Sequence, residues 1–80
     1  MKDYKYLSIL EIEFEPNAKT KIFAVKNKVY GDLLGYVKWY ALWRKYCFFV
    51  YSSDLVFDAG CLADIQDFIN TLMTERREGK

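Results

Sequence analysis

A regular apolar spacing near the C-terminus limits the architectures open to this chain more than any other part of it. Four apolar side chains recur at intervals of three, four and three residues, at Leu62, Ile65, Ile69 and Leu72. This spacing places all four on one face of an α-helix. Asp58 precedes them and is a favourable N-cap, because its carboxylate can accept hydrogen bonds from amides left free in the first turn. The pattern predicts a helix over residues 59–77 whose apolar face must pack against the rest of the chain.

The sequence before this helix has four segments typical of β-strands, over residues 6–15, 19–26, 33–40 and 44–51. The first segment alternates apolar and acidic residues, in the order Leu10, Glu11, Ile12, Glu13, Phe14 and Glu15. Alternation of this kind predicts a half-buried strand. We expect its apolar side chains, Leu10 among them, to face the core while the glutamates face solvent.

Short segments between the strands supply turns and set the pairing. Pro16-Asn17-Ala18 suits a turn, because proline presets φ and asparagine tolerates a tight corner. A hairpin closed there brings Lys19 and Lys21 opposite the glutamates of the first strand. Gly35, inside the third strand, suggests a bulge or a close approach by another backbone.

Together the segments predict an α+β fold, a four-stranded antiparallel β-meander with one C-terminal α-helix packed on one face. The length of 80 residues allows a single domain over residues 1–80. A domain this small buries little surface and is only marginally stable. We therefore expect self-association, most simply as a homodimer, to supplement its stability.

Charge and cysteine content narrow the class of protein. Twelve basic and eleven acidic residues give a net charge of +1, which argues against a dedicated duplex-DNA binder, since such domains usually carry a clear basic excess. Cys47 and Cys61 are too few for a disulfide framework and are expected as small buried thiols, with a single bridge between them as the alternative. The N-terminal charges do not fit a signal peptide, and no apolar run reaches the roughly 20 residues that span a bilayer. We therefore expect a cytoplasmic protein without a membrane partner.

Residues needed for common catalytic and metal sites are scarce. The chain has no histidine, which removes the commonest general base and zinc ligand. Four aspartates lie in or near the predicted helix, at Asp54, Asp58, Asp64 and Asp67. They could form a magnesium cluster, but helix capping and solvation explain them more simply. The enzymatic alternative is Cys61, near a helix N-terminus where the pKa of a thiol can fall. We expect a protein that is not an enzyme and uses no metal or cofactor.

The segment from Tyr36 to Tyr51 is unusually aromatic. Eight of its sixteen residues have aromatic side chains, namely Tyr36, Trp39, Tyr40, Trp43, Tyr46, Phe48, Phe49 and Tyr51. Because side chains alternate along a strand, neighbours such as Trp39 and Tyr40 must face opposite sides of the sheet. One helix can cover only one side, so we expect aromatic side chains on the uncovered face or at its rim.

Three interpretations of these aromatic side chains remain open. They can stabilise a small sheet as cross-strand ladders, bind a protein partner as an interface hot spot, or stack on bases beside cationic side chains. The candidate binding residues are Lys38, Trp39, Tyr40, Trp43, Arg44, Lys45 and Tyr46. We favour a non-catalytic binding protein that engages a host macromolecule through this aromatic and basic β-hairpin. The alternative is binding of single-stranded nucleic acid or a nucleotide on the aromatic face of the sheet.

A sequence pattern that extends from the hairpin into the helix resembles that of a known family. In the hairpin it comprises Leu34, Gly35, Val37, Lys38, Trp39, Tyr40, Trp43, Arg44, Tyr46, Cys47, Phe48 and Phe49. Towards and within the helix it continues with Val56, Phe57, Cys61, Leu62, Asp64, Ile65 and Phe68. The pattern resembles a family of small uncharacterised bacterial and bacteriophage-associated proteins, although its members often have prolines near the positions of Val50 and Gly60. The resemblance implies one compact domain and a microbial or phage setting, and it implies no reaction. Our hypothesis for the binding protein is an accessory of a phage or mobile element.

Overall fold

The structure, a computed structural model, describes residues 4–12 and 20–78. Four strands precede one helix: β1 (Leu7–Ile12), β2 (Ile22–Asn27), β3 (Leu33–Tyr40), β4 (Lys45–Val50) and α1 (Ala59–Glu78). The strands form one antiparallel sheet in the order β1-β2-β3-β4, and α1 packs across one face of it. The predicted α+β meander with a C-terminal helix is confirmed.

The first hairpin is described in part. β1 ends at Ile12 and β2 begins at Ile22, and the predicted strand and turn residues at 13–19 lie outside the described residues. The cross-strand pairing of lysine with glutamate is present between Lys21 Nζ and Glu11 Oε1, which are 3.7 Å apart. Both side chains are exposed, so this ion pair contributes little to stability.

The two faces of β1 are the reverse of the prediction. Leu7 is 1% exposed, whereas Leu10 is 62% exposed. The register pairs Ile9 with Val25 and Glu11 with Phe23, which places them on the face that α1 covers. Alternation shows which side chains share a face of a strand, but it does not show which face the helix covers. Because β1 carries apolar residues on both faces, the face predicted to be buried was the wrong face.

The hydrophobic core lies between α1 and the strands. Val25 and Val37, at the centre of the sheet, have no exposed surface. Phe68 packs edge-to-face against Phe23, with ring centroids 4.9 Å apart. The helix contributes three buried residues to the core, which are Ile65, Phe68 and Leu72. The helix predicted from apolar periodicity therefore packs on the sheet as expected.

One member of the predicted apolar stripe is not part of that core. Leu62 is 53% exposed, while Phe68 is 3% exposed. The sequence holds a second stripe through Cys61, Ile65, Phe68 and Leu72, with intervals of four, three and four residues. This second stripe faces the sheet because Phe68 has more apolar surface to bury than Leu62. No helix in the described residues has the length and apolar character needed to cross a membrane.

β3 is irregular at Gly35, as predicted. Val25 of β2 pairs with Gly35, but the next residue, Lys26, pairs with Leu33. Leu34 is therefore an extra residue on β3 without a direct partner on β2, which is the geometry of a β-bulge. The predicted bulge is confirmed.

Asp58 caps α1, as predicted from the sequence. Its Oδ1 accepts the backbone N–H of Cys61 at 2.9 Å. This amide belongs to the first turn and has no acceptor within the helix. The hydrogen bonds from Cys61 stabilise the ionised carboxylate and lower the pKa of Asp58 below its ordinary value of 3.8.

We expect Asp58→Ala to lower the midpoint of thermal unfolding at neutral pH, because the cap and its favourable charge are both lost. A carboxyl whose pKa is lowered by folding contributes stability above its unfolded pKa, and loses it as the pH falls through the folded pKa. The difference in midpoint between wild type and variant should therefore shrink below the unfolded value of 3.8. Asp54→Ala, which removes a carboxylate outside the helix, is the control. A difference that does not change with pH would contradict an ionised cap.

Candidate binding surface

The sheet has a second face, opposite α1, which we call the open face. The strand register assigns to it the row Leu10–Ala24–Tyr36–Phe49 and the pairs Ser8–Lys26, Ile12–Ile22, Lys38–Cys47 and Tyr40–Lys45. Ala24 is 5% exposed because it lies between two larger side chains. Every other residue of this set is at least partly exposed.

On this side of the sheet, the ring of Tyr40 contacts two other aromatic rings. The ring of Tyr40 lies 5.1 Å from that of Trp43 and 5.8 Å from that of Phe49, both in edge-to-face geometry. Lys38 Nζ lies over the Phe49 ring, 4.5 Å from its centroid. We call Lys38, Tyr40, Trp43 and Phe49 the aromatic cluster. Edge-to-face contacts of this kind stabilise the hairpin, but Trp43 remains 65% exposed.

A tight turn after β3 places Trp43 beside the open face. The amides of Trp43 and Arg44 donate to the carbonyl oxygens of Tyr40 and Ala41, at 3.2 and 3.3 Å. Arg44 has a φ of 54°, a left-handed conformation that is uncommon outside glycine. The chain reverses there, so β4 begins at Lys45 and not at Arg44 as predicted.

The open face is locally basic. Lys26 on β2, Lys38 on β3 and Lys45 on β4 all have side chains on it. Its described strand residues include no aspartate or glutamate. Glu11 belongs to the opposite face, where it pairs with Lys21. The described strands of this face are therefore basic, although the whole chain has a net charge of only +1.

Five of the seven candidate residues lie on or beside this surface. Lys38, Tyr40 and Lys45 belong to the open face, and Trp43 and Arg44 belong to the turn between β3 and β4. The rings of Tyr40 and Trp43, which are in contact, are thus brought together with two lysines. This is the arrangement expected of an aromatic and basic hairpin surface.

Trp39 and Tyr46 belong instead to the side that α1 covers. They pair directly across β3 and β4, their rings pack edge-to-face at 5.4 Å, and Tyr46 is 7% exposed. The guanidinium of Arg76 lies 4.0 Å from the centroid of the Trp39 ring. The backbone N–H of Tyr46 donates to Met73 Sδ at 3.4 Å. These contacts fasten the C-terminal half of α1 to the hairpin, so only the other five residues remain candidates for a binding surface.

The open face also includes residues that were not among the candidates. Tyr36 alternates in step with Lys38 and Tyr40 on β3, and Phe49 alternates in step with Lys45 on β4. Strand alternation was the signal that could have added these two aromatic residues. Leu10 and Lys26 could not be added in this way, because their place depends on the register of β1 and β2.

A cleft lies on the helix side, between β1, β2 and α1. It has a volume of about 240 Å³ and an apolar floor that includes Phe23, Phe68 and Leu72. Beside it, the Tyr4 hydroxyl donates to Asp67 Oδ2 at 2.8 Å. Burial, and then the neighbouring carboxylate, raise the pKa of Tyr4. These polar groups connect the start of the described chain to the helix, which indicates a structural role.

Cys61 and the aspartates have local partners as well. Burial raises the pKa of the Cys61 thiol, and Asp58 raises it further, so the lowered pKa considered for a helix N-terminus is not found. Asp64 Oδ2 accepts the backbone N–H of Tyr6 at 3.2 Å. Both cysteines are free and only partly buried, so the expectation of buried thiols is wrong and the alternative of a bridge between them is not found. In residues 4–12 and 20–78, no three metal-ligating side chains come together.

The similarity of this chain to a known protein extends over nearly its whole length. No family model and no solved structure matches the chain. An uncharacterised 9.3 kDa protein of Acholeplasma phage L2 is 37% identical to it over 78 residues, which are 98% of this chain and 97% of the phage protein. The aligned region therefore includes the sheet, the turn with Trp43 and the helix. The chain belongs to a family of small phage-associated proteins that includes this protein of Acholeplasma phage L2.

Proposed function

We propose that this chain is a non-catalytic binding protein that engages a macromolecule through the open face and the adjoining turn. The observation that carries the proposal is the aromatic cluster, which lies on the face opposite α1. Trp43 at 65% exposure and Leu10 at 62% exposure are large apolar side chains left in contact with solvent on this side. Exposed apolar surface bordered by polar groups is typical of an interaction site.

Sheet stabilisation by aromatic ladders accounts for only part of the cluster. The contact between Tyr40 and Phe49 is a cross-strand contact of this kind. Trp43 is different, because it lies in the turn and buries little of its surface against Tyr40. A tryptophan that packs against Tyr40 and is still open to solvent is better suited to contact a partner.

Two features support a non-catalytic role. The sequence contains no histidine, the usual general base and the usual partner of a nucleophilic cysteine. Cys61, the nucleophile considered from the sequence, has a raised pKa and therefore less thiolate at neutral pH. Membership in a phage-associated family supports an accessory protein that acts on a macromolecule of the host or of the phage.

Site-specific photo-crosslinking tests the proposal by capturing whatever molecule contacts the open face in the cell. Benzoylphenylalanine would replace Tyr40 on the open face in one variant and Gln66, an exposed residue of α1, in the control. After irradiation of bacterial cells that express either variant, we expect larger crosslinked species from position 40 and not from position 66. Both variants must first show the cooperative unfolding of the wild type.

Two results would contradict the proposal. The first is the same set of adducts from both positions, or none from position 40. The second is an adduct at position 40 that consists only of two copies of the 9.5 kDa chain, which would replace a foreign partner with a homodimer.

A further inference from the structure

Resting on the proposed function, we infer that the partner of the open face is single-stranded nucleic acid, held by stacking of its bases on the aromatic cluster and by contacts of its phosphates with the lysines of the face.

The positive charge of the open face indicates that its partner is negatively charged. Lys26, Lys38 and Lys45 come from three different strands, so the positive charge extends across the sheet and is not confined to one point. The described strand residues of this face supply no carboxylate to neutralise it. Lysine is depleted in the centres of protein–protein interfaces, whereas it is a common ligand of nucleic-acid phosphates. The face therefore suits a polyanion better than the surface of a typical protein partner.

The aromatic rings carry the second step. Tyr36 and Tyr40 are four residues apart on β3, a separation of about 13 Å along the strand. Phe49 lies directly across from Tyr36, and Trp43 extends the row of rings beyond the end of β3. Rings beside cationic side chains are the surface on which successive unpaired bases stack. A simple inorganic or peptidic polyanion does not present a series of flat rings that could stack on these side chains.

The same two features exclude other occupants of the face. A duplex keeps its bases stacked on one another, and its binders usually carry a larger basic excess than a net charge of +1. A second copy placed face to face would set the lysines of one sheet against those of the other. A single strand can both stack its bases on the rings and place its phosphates beside the lysines.

Fluorescence anisotropy tests this inference with labelled strands of about 12 nucleotides, RNA and DNA, and with the matching DNA duplex. We expect tighter binding of the single strands than of the duplex. Three lysine contacts predict a slope of about −2 in a plot of log affinity against log salt concentration, and Lys38→Gln should make it shallower by about 0.7. Tyr40→Ala and Trp43→Ala should each weaken binding by about tenfold through lost stacking.

Matched controls come from elsewhere on the surface. Tyr30→Ala removes a tyrosine that is 79% exposed in the turn between β2 and β3, and Arg77→Gln removes a positive charge from the exposed part of α1. Both controls should bind single strands like the wild type. Trp43 lies in a turn, so its variant is expected to fold even if Tyr40→Ala does not.

The inference is overturned if single strands do not bind, if the duplex binds equally well, or if the controls lose as much affinity as the cluster variants. Photo-crosslinking at position 40 separates this failure from failure of the proposed function. Suppose that the crosslinked adducts persist after nuclease treatment and that no oligonucleotide binds in the anisotropy experiment. The open face would then still be a binding surface, but its partner would be a protein and not a nucleic acid.

Discussion

Ile65→Asp is expected to abolish cooperative folding of the domain. Ile65 is 5% exposed and lies in the core with Phe68 and Leu72. An aspartate there would be a buried carboxylate without a partner, at a cost of about 4 kcal/mol or more. A single hydrophobic core in a domain this small rarely supplies more than about 3–5 kcal/mol of stability. Circular dichroism during heating and during urea titration should therefore show a loss of the cooperative transition.

Two variants keep this experiment specific. Gln66→Asp adds the same charge one residue later, on the exposed side of α1, and should unfold like the wild type. Ile65→Val removes one methylene from the core and should cost about 1 kcal/mol. A cooperative transition of Ile65→Asp near that of the wild type would show that α1 does not pack on the sheet through this residue.

Gly35→Ala is expected to have the second largest effect. A Cβ at this position would clash with the backbone carbonyl oxygen of Phe49, and would lie 2.8 Å from Cζ of the Phe48 ring. Because β3 and β4 are hydrogen-bonded here, the carbonyl cannot move away without disturbing the sheet. Overpacking of this severity costs about 3 kcal/mol, which corresponds to more than about 10 °C in the thermal midpoint of so small a domain.

Gly31→Ala is the matched control for this substitution. Gly31 has a φ of 77°, and an added Cβ would meet no atom within 4 Å. Its cost comes only from the left-handed backbone and should be about 1 kcal/mol. Equal losses of stability from both alanine variants would contradict the close approach of β3 and β4 at Gly35.

The helix and its cap could be predicted because they depend on neighbours in sequence. Asp58 is three residues from the amide whose hydrogen bond it accepts, and the apolar spacing of α1 spans only a few turns. The bulge at Gly35 was predicted for the same kind of reason, since glycine within a strand has few other uses. Local physical chemistry was sufficient for these features.

The predictions of the buried face were wrong where the local sequence pattern fitted two different faces equally well. Two overlapping stripes on α1 have helical spacing, and the one through Phe68 is buried while Leu62 stays exposed. β1 has apolar residues on both faces, and the face of Leu7 is buried while that of Leu10 is not. In each case the outcome depends on total apolar burial against distant strands, which no short segment contains.

The sequence by itself determined the four strands, the helix, their order, and the separation of Trp39 from Tyr40 onto opposite faces of the sheet. Only the tertiary structure decided which of those faces α1 covers. It placed Trp39 and Tyr46 beneath the helix, and it left Tyr40 and Trp43 beside the lysines of the open face. The physical reason is that alternation fixes the relative orientation of neighbouring side chains, whereas burial is settled by packing between segments far apart in the chain.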